Sequence, residues 1–174
     1  MLVTLAIASI AVAAGATSTS ARTSDGRDLS ARDTLELEVL RQINVLRRSH
    51  GLTALRLSRG LRAAADAHST EMATRGFFSH TSLDGTGFSK RVQRYYPRGS
   101  RGSWSVGENL LWSSPDVDGA QALRMWLNSP GHRKILLTPR WREIGLSAVH
   151  TSAGPGVFNG APVTVVTADF GARR

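Results

Sequence analysis

Three short motifs in this chain set a histidine or a glutamate among small residues: Phe78-Ser79-His80, Gly107-Glu108-Asn109 and Ser129-Pro130-Gly131-His132. Residues at such places leave backbone accessible and can converge on a cleft. Two imidazoles and a carboxylate would supply three ligands to a divalent metal such as zinc and leave a fourth position open. The compact H-E-x-x-H helix, which carries two ligands on one turn, is absent. Ser129 is a good N-cap and Pro130 suits the first helical position. His132 then falls at the third position, where the helix dipole disfavours imidazolium and favours the neutral ring that a metal ligand or acceptor requires. Each residue also has a plainer reading: His132 donating to a carbonyl, Glu108 satisfied by loop N–H groups or an arginine, and His80 capping or packing behind Phe77 and Phe78.

The elements that must position these motifs are legible from periodicity. Asp33-Thr-Leu-Glu36 has capping-box character. Leu35, Val39, Ile43 and Leu46 follow at helical spacing, and Gly51 ends that helix. Within it, Asn44 reads as a buried amide that fixes a neighbouring loop. A second helix starts at Ser58 and stops at Gly76, with Leu61, Ala65, His68 and Met72 on one face. A lone histidine on an apolar stripe reads first as a satisfied core residue, so His68 is set behind His80 and His132 as a ligand. Phe88 to Tyr96 forms a short helix, Val106 to Trp112 a strand, and Asp116 or Asp118 caps a helix ending at Asn128. Ile144–His150 and Pro162–Phe170 read as strands around a Gly/Pro/Asn-rich loop at 153–161. Helices placed before terminal strands indicate an α+β fold rather than parallel βαβ units.

Composition narrows the chemistry. The chain has 174 residues, no cysteine and a net charge of +9 from 22 basic and 13 acidic residues. Disulfides, cysteine-ligated zinc, iron–sulfur clusters and thiol nucleophiles are therefore excluded. No nucleophile-elbow motif accompanies the histidines. Residues 1–16, an apolar run ending in Ala14-Gly15-Ala16, read as a signal peptide, although no basic residue precedes the run. Residues 17–34 read as a flexible leader. Two stretches are basic and free of acids. The first holds Lys90, Arg91, Arg94, Arg98 and Arg101 among aromatics; the second holds Arg124, Arg133, Lys134, Arg140 and Arg142. The first stretch is expected to be a basic surface. For a secreted chain the accessible anions are a cell-wall polymer or a lipid surface, with nucleic acid behind them.

The ordered series Asn44…Arg48-Ser-His-Gly51, Ala67-His68-Ser-Thr-Glu-Met72, Phe77-Phe-Ser-His80, Gly107-Glu-Asn109, Trp126-Leu-Asn-Ser-Pro-Gly-His132-Arg133 and Glu143-Ile-Gly145 resembles the bacterial branch of the CAP superfamily, also called the SCP domain. The resemblance implies a CAP domain over residues 35–172, folded as a three-layer α-β-α sandwich. It also implies a cleft lined by two histidines and two acids. His80 and His132 match the histidines and Glu108 one acid. Trp126-Leu127-Asn128-Ser129 offers no carboxylate for the other, and Glu143 is the nearest substitute. Ile135 stands where bacterial members often carry Asn. The expectation is a secreted, monomeric binding module for a small apolar or envelope-derived ligand, with or without a divalent metal. A metal-dependent, peptidase-like hydrolase and a protein that binds anionic envelope polymers through its basic surface are the alternatives.

Overall fold

The structure, a computed structural model, describes residues 24–99 and 102–173, with side chains from residue 33 onward. The expected signal peptide and Arg101 lie outside the described residues. The elements in chain order are α1 (Ser24–Ser49), β1 (Arg56–Leu57), α2 (Arg59–Arg75), α3 (Phe88–Tyr95), β2 (Trp104–Ser113), α4 (Gly119–Leu127), α5 (Pro130–Leu136), β3 (Glu143–Thr151) and β4 (Val163–Arg173).

The local signals act where expected. Ser58 and Gly76 bound α2, with Gly76 in the left-handed conformation at φ 70°. Asp118 accepts from the Gln121 backbone N–H at 2.7 Å and so caps α4. Ser129 and Pro130 open α5, which puts His132 at its third residue. The amide of Asn44 brackets Leu55, donating to its carbonyl at 3.0 Å and accepting from its N–H at 2.7 Å. The start of α1 is different. The helix begins at Ser24, so residues 24–34 are helical and not a leader. Helix propagation adds a hydrogen bond for each residue fixed, and the segment contains no proline to stop it. Asp33 therefore lies inside α1 and pairs with Arg62 of α2, as does Glu36 at 3.0 Å.

Four strands form one sheet in the order β1-β3-β4-β2, with β1 parallel to β3 and the other pairs antiparallel. Side chains alternate across it. On one face Leu111, Ile144, Leu146, Ala148, Val166, Ala168 and Phe170 pack with Val39 and Ile43 of α1, Trp126 of α4 and Leu136 of α5. On the other face Leu110, Val149, Val163 and Val165 pack with Met72 and Ala73 of α2, while Leu61 meets Val92 of α3 and Tyr96. This is an α-β-α sandwich. Gly145 explains how closely α2 approaches, because a Cβ there would lie 2.0 Å from the Leu61 carbonyl carbon. Buried Arg47 ties the end of α1 to the end of α5, donating to the Leu136 carbonyl at 2.7 Å and the Thr138 carbonyl at 3.1 Å.

Candidate functional site

The Gly107-Glu108-Asn109 motif lies on β2, an edge strand, so consecutive side chains serve opposite layers. Gly107 lies against Trp141, whose ring carbon Cζ2 would be 2.9 Å from a Cβ. Asn109 is buried on the same face and donates to the His132 carbonyl at 3.1 Å, which fixes the start of α5. Glu108 points into the α2 layer. There it accepts from His80 Nδ1 at 2.8 Å through Oε1 and from Arg91 Nη2 through Oε2. Arg91 also donates from Nη1 to the His80 carbonyl at 3.1 Å and to the Ser82 hydroxyl at 3.2 Å.

The result is a buried ion pair behind an accessible ring. The Glu108 and Arg91 side chains are 1% and 5% exposed, whereas that of His80 is 51% exposed. Burial would raise the Glu108 pKa, but the His80 hydrogen bond and the Arg91 charge, with smaller help from His68, hold it below the ordinary value. With Nδ1 donating to the carboxylate, His80 keeps Nε2 with no protein partner among the described residues. His132 is half-buried. Its pKa is lowered first by burial and then by the charge of His80, so the two imidazoles are close enough to sense each other.

Two further buried groups complete the cluster. His68 donates from Nε2 to the Ser79 carbonyl at 2.8 Å, with Phe77 packed edge-on at 6.0 Å. Burial first, then the Arg91 charge, lowers its pKa. It is the core histidine its apolar stripe suggested, satisfied at Nε2 while buried Nδ1 stops 3.6 Å short of Glu71, and it anchors the residue before His80. Asp169 lies opposite Glu108 in the β2–β4 register and is fully buried. Burial, followed by the nearby Glu108 charge, raises its pKa well above the carboxylate range despite Arg91. As a carboxylate its oxygens would have no donor. Protonation removes the charge that burial and the neighbouring Glu108 carboxylate both oppose.

These positions correct the sequence reading in three places. Arg91 is not part of a basic surface, because Glu108 and the His80 loop draw its guanidinium inside. Lys90, Arg94 and Arg98 are exposed, with Arg98 stacked on Trp104 at 4.9 Å. Glu143 is held by the Tyr96 hydroxyl, with Arg173 Nε at 3.9 Å. It lies two residues along β3 from Gly145, the residue that faces Asp169. The second acid beside Glu108 is Asp169, and the signal for it was an aspartate inside the otherwise uncharged run Val163–Phe170. His80, His132 and Glu108 do not form one ligand set, since both Glu108 oxygens are engaged. Among the described residues no three His, Asp or Glu side chains are grouped to hold a metal ion.

With this geometry in hand, the chain can be set beside known proteins. The model of the cysteine-rich secretory protein family, CAP, matches residues 40–170. The uncharacterized membrane protein YlbC of Bacillus subtilis is 32% identical over 123 residues, which cover 71% of this chain and 34% of that relative. This chain therefore spans about a third of that relative's length. Among solved structures, an extracellular protein containing an SCP domain from Bacillus anthracis superposes with a TM-score of 0.67 at 27% identity, over 87% of this chain and 44% of that one. An outer surface protein of Borrelia burgdorferi shares the fold with a TM-score of 0.61 at 21% identity, over 87% of this chain and 97% of that one. No helix among the described residues is long and apolar enough to cross a membrane.

Proposed function

The chain belongs to the CAP family, and from that premise we propose that it acts outside the cell as a binding module that takes its ligand at the His80–His132 pair. The observation that carries this reading is the His80 ring, half exposed, with Nδ1 pinned by a buried carboxylate and Nε2 left outward. Holding one nitrogen fixes both the tautomer and the direction of the other. Such a ring serves recognition without needing to move. Phe78, two residues before His80, is 37% exposed and offers apolar surface beside these polar groups. A small envelope-derived ligand with a polar head and an apolar body suits that combination. The named locations of the Bacillus anthracis and Borrelia proteins support an extracellular setting.

A divalent cation would meet two imidazoles here, with Glu108 orienting one of them rather than binding the ion. Calorimetry with Zn²⁺ tests the pair directly. Affinity is expected to fall about tenfold or more in His80→Ala and in His132→Ala, as it does when metal-site support is lost. Unchanged binding in both variants would remove the site. One observation favours a second reading. The His80–Glu108 pair has the arrangement of a base and its orienting carboxylate, as in hydrolases. Turnover of a peptide or ester library that disappears in His80→Ala would put catalysis in place of binding.

A further inference from the structure

A second concave site lies away from the histidines, at the end of the sheet. Ser103, Ser105, Arg140, Arg142, Ala172 and Arg173 line a cleft of about 250 Å³. Its lining carries three guanidinium groups and no acid. The cross-strand pairs Trp104↔Arg173 and Ser105↔Ala172 bring the β2 start to the β4 end. The Arg142 backbone N–H, donating to the Gly171 carbonyl at 3.0 Å, fastens the turn before β3 to the same place.

What distinguishes Arg142 and Arg173 from a solvated basic face is that they are held. Arg142 Nη1 donates to the Pro139 and Trp141 carbonyls, both at 2.8 Å. Arg173 lies over the Tyr96 ring at 4.0 Å and donates from Nη1 to the Pro97 carbonyl at 3.2 Å. Arg140 sits 5.9 Å from the centroid of the Trp141 ring. Glu143, the acid that reaches Arg173, is taken by the Tyr96 hydroxyl and approaches Arg173 only at 3.9 Å. Nη2 of both Arg142 and Arg173 has no protein acceptor among the described residues. Guanidinium groups fixed by backbone carbonyls and aromatic faces lose less entropy on binding than free ones. Their forked N–H groups match the oxygens of a tetrahedral oxyanion, and the two serine hydroxyls can add donors.

We infer that this cleft binds a phosphate group, as found in a phosphodiester polymer or as the free ion. The concave shape admits one phosphate and its substituents, whereas a flat bilayer would meet the exposed rim. The test measures binding of a glycerol phosphate oligomer and of inorganic phosphate to the full chain. Arg140→Gln and the double variant Arg140→Gln/Arg142→Gln are compared with Lys90→Gln/Arg94→Gln, which removes as much charge from the exposed α3 surface. The cleft variants are expected to bind about tenfold more weakly, as for loss of a charge-assisted hydrogen bond, with the α3 variant unchanged. Because the double variant loses the Arg142 contacts to Pro139 and Trp141, Arg140→Gln alone decides if the double variant melts early. Tighter binding of the oligomer supports a polymer, and equal binding of the two probes supports the free ion. Equal weakening by the α3 variant, absence of binding at millimolar probe, or binding to anionic vesicles alone would each overturn the assignment.

Discussion

The two faces of strand β4 are built on opposite principles. Ala168 and Phe170 look onto α1, α4 and α5, where Trp126, Ile144 and Leu136 fill the space with hydrocarbon. Asp169, between them in sequence, looks the other way and meets Glu108. One face is held by apolar burial, which does not depend on protonation. The other face packs Val163 and Val165 on Met72 at one end, but around Asp169 it gives up apolar packing for a buried acid, a carboxylate, a guanidinium and an imidazole, whose only exposed member is His80. The contrast shows where the fold draws its stability and where it spends structure on holding a ring.

The largest effects should separate the faces by their response to pH. Phe170→Ala is expected to cost about 3–5 kcal/mol and to cost the same across the pH range. Glu108→Gln is expected to cost a similar amount, about 3–5 kcal/mol, because it leaves Arg91 buried without its partner. The pH profiles should differ. The Glu108 pKa is depressed in the folded chain, so its contribution is present above its ordinary value of 4.5 and is lost as pH falls through the lower folded value. Urea midpoints taken against pH should show a shallower acid limb in Glu108→Gln and an unaltered one in Phe170→Ala. An equal change in both variants would erase the division.

A smaller effect sharpens the role of the ring's support. His68→Ala removes the donor to the Ser79 carbonyl and should cost about 1–3 kcal/mol. Its mark should be local, with the His80 imidazole signals broadening in NMR spectra while those of His150 stay in place. Equal broadening at both histidines would mean that His68 serves the fold in general.

The smallest change concerns Asp169. Its raised pKa means that the native state holds a proton that the unfolded chain has released. Its contribution is therefore fully present below the ordinary aspartate value of 3.8 and declines as pH rises above it. Asp169→Asn stays uncharged and has no proton to lose, so that decline should vanish and neutral-pH stability should match or exceed the wild type. A variant that melts earlier at neutral pH would instead show Asp169 ionised and paired with Arg91.

Much of this site was legible before the fold was known, because part of it rests on short-range rules. Ser129-Pro130 favours a helix start through local capping and a preset φ, and so His132 was legible as a first-turn residue. Gly107-Glu108-Asn109 on a strand had to send Glu108 one way and Asn109 the other. Glu143 was mistaken for the second acid because only the strand register reveals which carboxyl faces Glu108. Arg91 was counted as surface because composition sees its charge and not its partner. The two-residue strand β1 had no period to read.

The sequence by itself determined the helix limits other than the start of α1, the alternation of the strands, the Asn44 bracket and the family. Each follows from caps, periodicity or residues that act near their own place in the chain. Only the tertiary structure decided which charges are inside. It set Asp169 against Glu108, drew Arg91 in behind His80, and left Arg140, Arg142 and Arg173 around one cleft. Whether a charge is paired, neutral or free depends on which distant group shares its low-dielectric surroundings, and sequence spacing carries no record of that.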